Sequence, residues 1–225
     1  MNTLYKDEHI LVVDKPAGIP VLPEGWDKDA PYLVRQLEEE HGKVWTVHRL
    51  DKFTSGVMVF ARTADAHRAL NGQFEKHEVE KVYHAIAIGV PDWNDKTTKR
   101  PLRVNVGHKH RTMVDDKNGK HSETRFKVLK RYQTNVLLEA RPMTGRTHQI
   151  RVHAYALGYP LLGDVLYSVQ ETAPSLSEAT NLIARPALHA YSLAFVHPET
   201  NKRMTFTAGY PEDFQAALRS ITVPV

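Results

Sequence analysis

The six-residue run GVMVFA at 56–61 constrains the fold of this chain more than any other feature. It is too short to cross a membrane, and a run this apolar is typical of a central strand buried on both faces. The segment that follows places Ala66, Leu70 and Phe74 four residues apart, which predicts the apolar face of a helix. Thr63 precedes this helix and is a suitable N-cap. A buried strand followed by an amphipathic helix is therefore expected within the core.

The other segments with a clear pattern predict more strands than helices. Further helices are predicted in DAPYLVRQLEEEHG (N-cap Asp29, end at Gly42), THQIRVHAYALG and PEDFQAALRS. Further strands are predicted in HILVV, EKVYHAIAIG, TRFKVLKRY, NVLLEARP, LHAYSLAFVHP and KRMTFTAG. No internal repeat or linker interrupts these segments, so one mixed α+β domain over residues 1–225 is the simplest account.

Residues 91–120 are polar and basic, and they predict a loop that runs into a projecting hairpin. The sequence KNGK at 117–120 is interpreted as the two-residue turn of that hairpin, because Asn and Gly tolerate a positive φ. Residues 170–186 are expected to form a surface loop. Both segments are predicted to lie outside the core of the domain.

The composition narrows the classes of function. The 225 residues contain no cysteine, which excludes disulfides, thiolate metal sites and cysteine nucleophiles. The N-terminal segment MNTLYKDEHILVVDKP meets charge after five residues and is not a signal peptide, so a cytoplasmic protein without a membrane contact is expected. The 30 Lys and Arg residues outnumber the 26 Asp and Glu residues, an excess that is compatible with a nucleic-acid partner but does not require one.

Several common catalytic patterns do not occur in the sequence. It has no G-x-x-x-x-G-K-S/T phosphate loop, no G-x-G-x-x-G dinucleotide turn and no G-x-S-x-G esterase elbow. His148 and His153 are five residues apart, whereas two zinc ligands on one helix face usually lie four apart. His108 and His110 have no obvious third ligand, and a solvated basic hairpin explains them better. No metal site is therefore expected.

Two basic clusters remain as candidates for chemistry. The first surrounds Asp51 in HRLDK, and it is either a charged solvated loop or a reactive carboxylate that meets an anionic substrate. The second is TGRTHQIRVH at 144–153, where a Gly turn opens a helix, so free backbone N–H groups are expected to be available to an anion. Arg146 and Arg151 add fixed charge that suits phosphate or carboxylate. The alternative is an ordinary helix start with surface arginines. From the residues alone, it stays open whether the two clusters form one site.

A family resemblance connects the two clusters. HRLDKFTSG, EKVYHAIAIG and GRTHQIRVHAYALGYPLLGDVLY resemble the signature motifs of the RluA-type RNA pseudouridine synthases, and ILVVDKPAGIPV and LHAYSLAFVHP resemble their flanking motifs. The resemblance covers about residues 7 to 207. It implies a single domain with a mixed, largely antiparallel β-sheet, flanking helices and a central cleft. The chain starts directly at the catalytic-domain motif, so the S4-like RNA-binding domain that many members carry is not expected.

The resemblance also implies roles for individual residues. Asp51 matches the family's catalytic carboxylate, Arg151 its cationic partner, and Tyr83 the tyrosine that stacks on uracil and assists proton loss from C5. The residues expected to bind RNA are Arg49, Arg146, His48 and Lys52. In this scheme Arg49 fills the space that a flipped base leaves, Arg146 holds phosphate, and His48 also shapes the loop.

The reaction implied by the resemblance is the isomerisation of uridine to pseudouridine in RNA without a cofactor or metal. Leu188 and Leu193 are expected to line the uracil pocket, and Asp164 and Tyr167 to give structural support. The expected partner is a stem-loop of tRNA or rRNA, bound by a monomer. The uridine position and the step at which Asp51 acts, as nucleophile or as base toward the sugar, are left open.

Two other classes of function compete with this interpretation. A catalytically silent RNA-binding module on the same scaffold would need its basic residues but not Asp51. A nucleoside or glycoside hydrolase would need a second acidic residue paired with Asp51, whereas the motifs near Asp51 offer cations.

Overall fold

The structure is a computed structural model that describes residues 2–24, 30–107, 111–168 and 183–222. The chain packs as two compact units. The first contains residues 1–81 and 190–209, and the second contains residues 82–189 and 210–225. Each unit has its own apolar core. The single domain and its central cleft stay predictions.

The described residues form twelve strands and four helices in a mixed order. The strands are β1 (Asn2–Lys6), β2 (Ile10–Lys15), β3 (Trp45–Thr46), β4 (Ser55–Ala61), β5 (Glu80–Ile88), β6 (Asp95–Thr98), β7 (Leu102–Val106), β8 (Arg111–Val114), β9 (Thr124–Arg131), β10 (Asn135–Pro142), β11 (Leu188–Val196) and β12 (Arg203–Thr207). The helices are α1 (Leu33–His41), α2 (Ala64–Glu75), α3 (Gln149–Ala156) and α4 (Glu212–Thr222). The α+β class predicted from the sequence is confirmed, also by solved structures of similar fold.

In the first unit, β4 is the central strand, as its apolar sequence predicts. It lies between β2 and β11 in the strand order β1-β2-β4-β11, with β12 on β11, and all seven of its residues are buried. The core of this unit contains Val57 and Val59 from β4 together with Ala66 and Leu70 from α2. Burial of apolar groups from both elements excludes water from one face of the sheet and supplies most of the driving force for folding.

The ends of α1 and α2 follow from local chemistry. Thr63 caps α2 by accepting a hydrogen bond from the Ala66 amide at 3.1 Å, as predicted. Gly42 ends α1 with a φ of +75°, which also agrees with the prediction. The start of α1 differs, since the helix begins at Leu33, after Tyr32; the predicted cap, Asp29, lies outside the described residues.

Gly56 shows how closely two strands approach at the start of β4. Its φ is +116°, and a Cβ atom built there would lie 2.2 Å from the Ala190 carbonyl oxygen. We expect Gly56→Ala to lower the free energy of unfolding by more than about 3 kcal/mol, because strand separation and backbone strain act together. Urea-induced unfolding, followed by circular dichroism, measures this change.

A glycine in α2 provides the matched control. Gly72 has helical backbone angles, and a Cβ atom there meets nothing within 4 Å. Gly72→Ala is expected to raise the free energy of unfolding by roughly 0.5–1 kcal/mol, since alanine loses less backbone entropy in a helix. Equal effects of the two substitutions would contradict the steric argument.

In the second unit, the sheet has the order β5-β10-β9-β6, and its described pairings are antiparallel. The two faces of β5 separate as the sequence predicts. Ala85 and Ala87 pack with Tyr83 on the face that meets α3, whereas Ile86 and Ile88 pack with α4. The sheet therefore carries one helix on each face, and the α3 side bears the residues of the second motif cluster.

The segment 91–120 differs from the prediction. A two-stranded sheet does form, but its strands are β7 and β8, so KNGK follows the hairpin instead of turning it. Asp115 explains the difference: its Oδ1 accepts from the Lys117 and Asn118 amides, and its carbonyl oxygen accepts from the Gly119 amide at 2.8 Å. This side chain closes a longer turn over 115–119, which the two-residue pattern does not anticipate.

No helix among the described residues is long and apolar enough to span a bilayer.

Candidate active site

The first motif cluster lies on the loop between β3 and β4, and a buried lysine holds this loop from beneath. Lys15, the last residue of β2, has no solvent exposure. Its Nζ donates to the carbonyl oxygens of Pro16 at 2.9 Å, Lys52 at 3.1 Å and Thr54 at 2.9 Å. An ammonium group is stable in such a place only when its donors are used, so the loop backbone is held in one arrangement.

Residues 51–54 form a tight turn that presents polar and aromatic side chains to solvent. The Thr54 amide donates to the Asp51 carbonyl oxygen at 3.0 Å, which closes the turn. Asp51 is partly exposed, and Lys52 and Phe53 are exposed at the tip, with the Lys52 ammonium 5.7 Å from the centre of the Phe53 ring. Arg49 is exposed as well, which its predicted contact with RNA requires.

His48 is held in the neutral state. Its Nε2 accepts a hydrogen bond from the Val59 amide at 3.1 Å, and its ring stacks on Phe74 with 4.6 Å between centres. Burial lowers the pKa of His48 to about 3, and the positive charge of Lys81 acts in the same direction. Because β3 ends at Thr46, the imidazole satisfies an amide of β4 that no β3 residue reaches. Its contact with RNA stays a prediction.

The shifted pKa of His48 predicts a dependence of stability on pH. The folded value of about 3 lies below the unfolded value of 6.5, so the unfolded chain binds the proton first as the pH falls. The free energy of unfolding should therefore decrease between pH 6.5 and pH 3, by at most about 1.4 kcal/mol per pH unit from this group. Urea unfolding of the wild type and of His48→Gln at pH 7.5, 6.0 and 5.0 measures it. If the free energy of unfolding of His48→Gln fell with pH as steeply as that of the wild type, the loss of stability would come from other groups.

The second motif cluster forms a turn that Gln149 ties together. The Gln149 Oε1 accepts from the Thr144 hydroxyl at 2.7 Å and from the Arg146 amide at 3.0 Å. Its Nε2 donates to the Glu123 carbonyl oxygen at 2.9 Å. The expectation of free amides for an anion is thus wrong for Arg146, because a side chain of the same motif already accepts from its N–H. The Arg146 side chain is partly exposed, and its binding of phosphate stays a prediction.

Arg151 is buried on α3 and forms a bidentate ion pair with Asp164. Its Nε lies 2.6 Å from Oδ2 of Asp164, and its Nη2 lies 2.8 Å from Oδ1. The Asp164 side chain has no solvent exposure, and that of Arg151 is 8% exposed. A fork-to-fork pair of this kind fixes the plane of the guanidinium. The predicted pairing of Arg151 with Asp51 joins residues of different units and stays a prediction.

Tyr83 lies on the α3 face of β5, opposite Ala140 of β10. It is partly exposed and packs at the margin of the apolar cluster that contains Ala85 and Ile150. The sequence predicted this face, with its small neighbours. The role of Tyr83 toward a base stays a prediction.

Within each unit, the structure brings part of the predicted site together. Arg49, Asp51 and Lys52 share one loop of the first unit, and Arg146 and Arg151 share one turn and helix of the second. Two residues were missed by the sequence analysis. Lys15 ends an apolar strand, in DKP, and Gln149 lies inside the second motif. In both cases the available signal was a polar residue at a position that the strand or helix pattern predicts to be buried.

The described residues contain no group of three or more His, Asp or Glu side chains arranged to hold a metal ion.

Comparison with known proteins identifies similar sequences over nearly the whole chain. Residues 9–156 match the family model described as RNA pseudouridylate synthase. The chain is 34% identical to the ribosomal large subunit pseudouridine synthase D of Zymomonas mobilis, over 99% of this chain and 73% of that protein. It is 37% identical to the ribosomal large subunit pseudouridine synthase C of Escherichia coli K12, over 97% of this chain and 69% of that protein.

A solved structure shows the same fold. The human RNA pseudouridylate synthase domain containing 4 protein superposes with a TM-score of 0.79 and is 26% identical. The alignment covers 98% of this chain and 92% of the human chain.

Proposed function

The chain belongs to the RNA pseudouridylate synthase family, and from this premise we propose that its substrate is a uridine in the RNA of the large ribosomal subunit. The enzyme is an RNA uridine-to-pseudouridine isomerase. The proposed RNA class rests on one observation: relatives that align with almost the entire chain are named ribosomal large subunit pseudouridine synthases. Such a substrate would place the enzyme in the cytoplasm, where it is proposed to act as a monomer.

Asp51 is proposed to be the catalytic carboxylate. The isomerisation breaks the bond between N1 of uracil and C1′ of ribose and forms a bond between C5 and C1′. The proton on C5 is released to solvent, and N1 takes up a proton. An ionised carboxylate next to the sugar serves either as a nucleophile at C1′ or as a base toward the ribose. The support from the structure is that the loop of Asp51 is rigid, since the Lys15 ammonium holds the carbonyl groups on either side of Phe53.

Arg151 is proposed to be the cationic partner of Asp51. Opposite charges at close range attract each other, which stabilises a carboxylate in a closed pocket. The bidentate pair with Asp164 supports this role, because it fixes the direction of the guanidinium before the substrate binds. Tyr83 is proposed to stack on the uracil and assist loss of the C5 proton.

The cationic residues around these groups are proposed to bind the RNA. Arg49 and Lys52 are exposed on the loop that carries Asp51, and Arg146 is partly exposed at the start of α3. Flipping a base out of a stacked loop costs a few kcal/mol, and a side chain that fills the vacated space offsets part of that cost. Arg49, two residues before Asp51, is the proposed residue for this.

The RNA class is tested by mapping pseudouridine at single-nucleotide resolution in a strain that lacks the gene and in the complemented strain. A site that is missing from the large-subunit RNA of the deletion strain, and returns on complementation, is expected. The purified enzyme should convert the same uridine in a transcript of that RNA region. Missing sites confined to tRNA would contradict the proposed substrate while leaving the family activity intact.

A further inference from the structure

Asp164 organises a short turn in addition to its pair with Arg151. Its Oδ1 accepts hydrogen bonds from the amides of Leu166 at 3.1 Å and Tyr167 at 3.2 Å. The same oxygen is 2.8 Å from Nη2 of Arg151. One carboxylate therefore fixes both the guanidinium and the backbone that carries the Tyr167 ring.

Tyr167 connects this turn to two other elements. The Arg151 guanidinium lies over its ring, with Cζ 5.0 Å from the ring centre. Its hydroxyl oxygen accepts a hydrogen bond from the Thr112 amide of β8 at 2.8 Å and lies 2.9 Å from Nδ1 of His148, the residue before α3. One buried side chain thus touches the hairpin of β7 and β8, the start of α3 and the arginine in its first turn.

Thr112 of the hairpin bonds to Tyr167 through its backbone amide and not through its hydroxyl. Thr112 is 2% exposed, and its hydroxyl has no hydrogen-bond partner among the described residues. The hydrogen bond from the Thr112 amide to the Tyr167 hydroxyl is therefore a specific polar link between the hairpin and Tyr167. The rest of the contact is apolar and consists of Leu102, Val152 and Tyr167, with Val114 and Leu166 at its margin. Apolar packing holds the hairpin against α3, but it is not directional, whereas the hydroxyl bond fixes register.

His148 adds a backbone constraint at the same point. Its φ of +55° is left-handed, which is uncommon for a residue other than glycine. The hydrogen bond between its imidazole Nδ1 and the Tyr167 hydroxyl stabilises this conformation at the first turn of α3. Movement of Tyr167 therefore changes the start of the helix that carries Arg151.

From these contacts we infer that Tyr167 is a positioning residue that couples RNA binding on the hairpin of β7 and β8 to the orientation of Arg151. The inference rests on the proposed function, in which Arg151 supports the catalytic carboxylate. RNA that binds the hairpin restrains Thr112, the Thr112 amide restrains the Tyr167 hydroxyl, and the Tyr167 ring and Asp164 restrain the guanidinium.

The charge of the hairpin fits an RNA backbone. Residues 99–107 and 111–120 carry six Lys and Arg residues against two Asp residues. Arg103 lies opposite the exposed Met113, and Arg111 lies opposite Val106. The Arg103 side chain is 54% exposed and also pairs with Asp115 at 3.5 Å. Contacts of such cations with phosphate are independent of base sequence and weaken with salt.

The first measurement is amide hydrogen exchange in Tyr167→Phe, which removes the hydroxyl and keeps the ring. Exchange of the Thr112 amide is expected to accelerate at least tenfold, because its acceptor is lost. Tyr155→Phe is the matched control, since Tyr155 lies on the helix of Arg151, is 41% exposed, and has its ring centre 6.5 Å from that of Tyr167. It should leave Thr112 exchange unchanged. Equal Thr112 exchange in the wild type and Tyr167→Phe would overturn the inference.

The second measurement is a double-mutant cycle under single-turnover conditions at saturating RNA. Tyr167→Phe is expected to lower the rate about tenfold, and Arg103→Gln with Arg111→Gln is expected to lower it by a similar factor and to weaken RNA binding. When all three changes are combined, the rate should fall no further than about tenfold, because the coupling is already broken, although RNA binding stays weak. A purely structural role of Tyr167 predicts factors that multiply to about a hundredfold.

The outcomes separate this inference from the proposed function. If the enzyme converts large-subunit RNA and the two losses of rate multiply, the coupling alone is overturned. A wild type that converts only tRNA would overturn the proposed RNA class, and the cycle then tests the coupling on that tRNA. A wild type that converts no RNA would overturn both.

Discussion

Asp51→Asn is expected to abolish pseudouridine formation, with a loss of at least about 10³-fold in single-turnover rate. The amide has the shape of the carboxylate but carries no charge, so it neither attacks C1′ nor accepts a proton from the ribose. Tritium release from RNA labelled at C5 of uridine measures the rate. The variant should bind RNA at least as tightly as the wild type, since a negative charge has been removed near the phosphates.

Asp65→Asn is the matched control, because its side chain is 88% exposed on α2. It should release tritium at the wild-type rate. Both variants should keep the far-ultraviolet circular dichroism spectrum and thermal midpoint of the wild type. If Asp51→Asn released tritium as fast as the wild type, the carboxylate would have no part in the chemistry. A silent RNA-binding module on this scaffold predicts that result.

Lys15→Met is expected to lower both stability and turnover. Methionine has a similar length but no donor, so the carbonyl groups of Pro16, Lys52 and Thr54 lose the ammonium that satisfies them. Each buried acceptor left without a partner costs roughly 1–3 kcal/mol, and loss of the desolvated charge offsets part of this cost. A net loss of about 3 kcal/mol in the free energy of unfolding is expected, together with at least a tenfold lower rate, because the loop of Asp51 becomes mobile.

Lys76→Met, at the exposed end of α2, is the control for loss of a lysine charge. It should change the free energy of unfolding by less than about 0.5 kcal/mol. Urea unfolding and tritium release measure both variants at a temperature where each is folded. Wild-type stability in Lys15→Met would mean that water or a rearranged backbone replaces the ammonium, and the rigid loop would then need another explanation.

These two substitutions separate chemistry from support. Asp51→Asn should change turnover without changing stability, whereas Lys15→Met should change both. The difference arises because Asp51 is partly exposed on a turn, while Lys15 is fully buried beneath it.

Most elements of the fold were predictable because their signals are local. The apolar run of β4, the Thr63 cap, the Gly42 stop and the two faces of β5 depend on residues within a few positions of each other. The prediction that KNGK turns the hairpin was wrong for a related reason. Its Asn-Gly pair is a local signal, but the Asp115 side chain offers a competing set of hydrogen bonds to the same backbone.

The candidate site was predictable only in part. The motif strings suggested Asp51, Arg151, Tyr83 and the surrounding cations as candidates, because the resemblance implies a role for each position of a contiguous string. These roles stay predictions. The strings did not reveal that Gln149 occupies the amide of Arg146, nor that Asp164 binds both Arg151 and the turn of Tyr167. These contacts depend on which polar groups become buried together.

Periodicity and motif in the linear chain were thus sufficient for the α+β class, the family and the identity of the proposed carboxylate. Folding was needed to show how those residues are held: Lys15 reaches carbonyl groups 37 and 39 positions away, and Tyr167 reaches an amide 55 positions away. The physical reason is that an apolar pattern reports only the residues that avoid water. The partner of a buried polar group is set by whichever donor or acceptor packing brings within about 3 Å, and that distance is not encoded by any spacing along the chain.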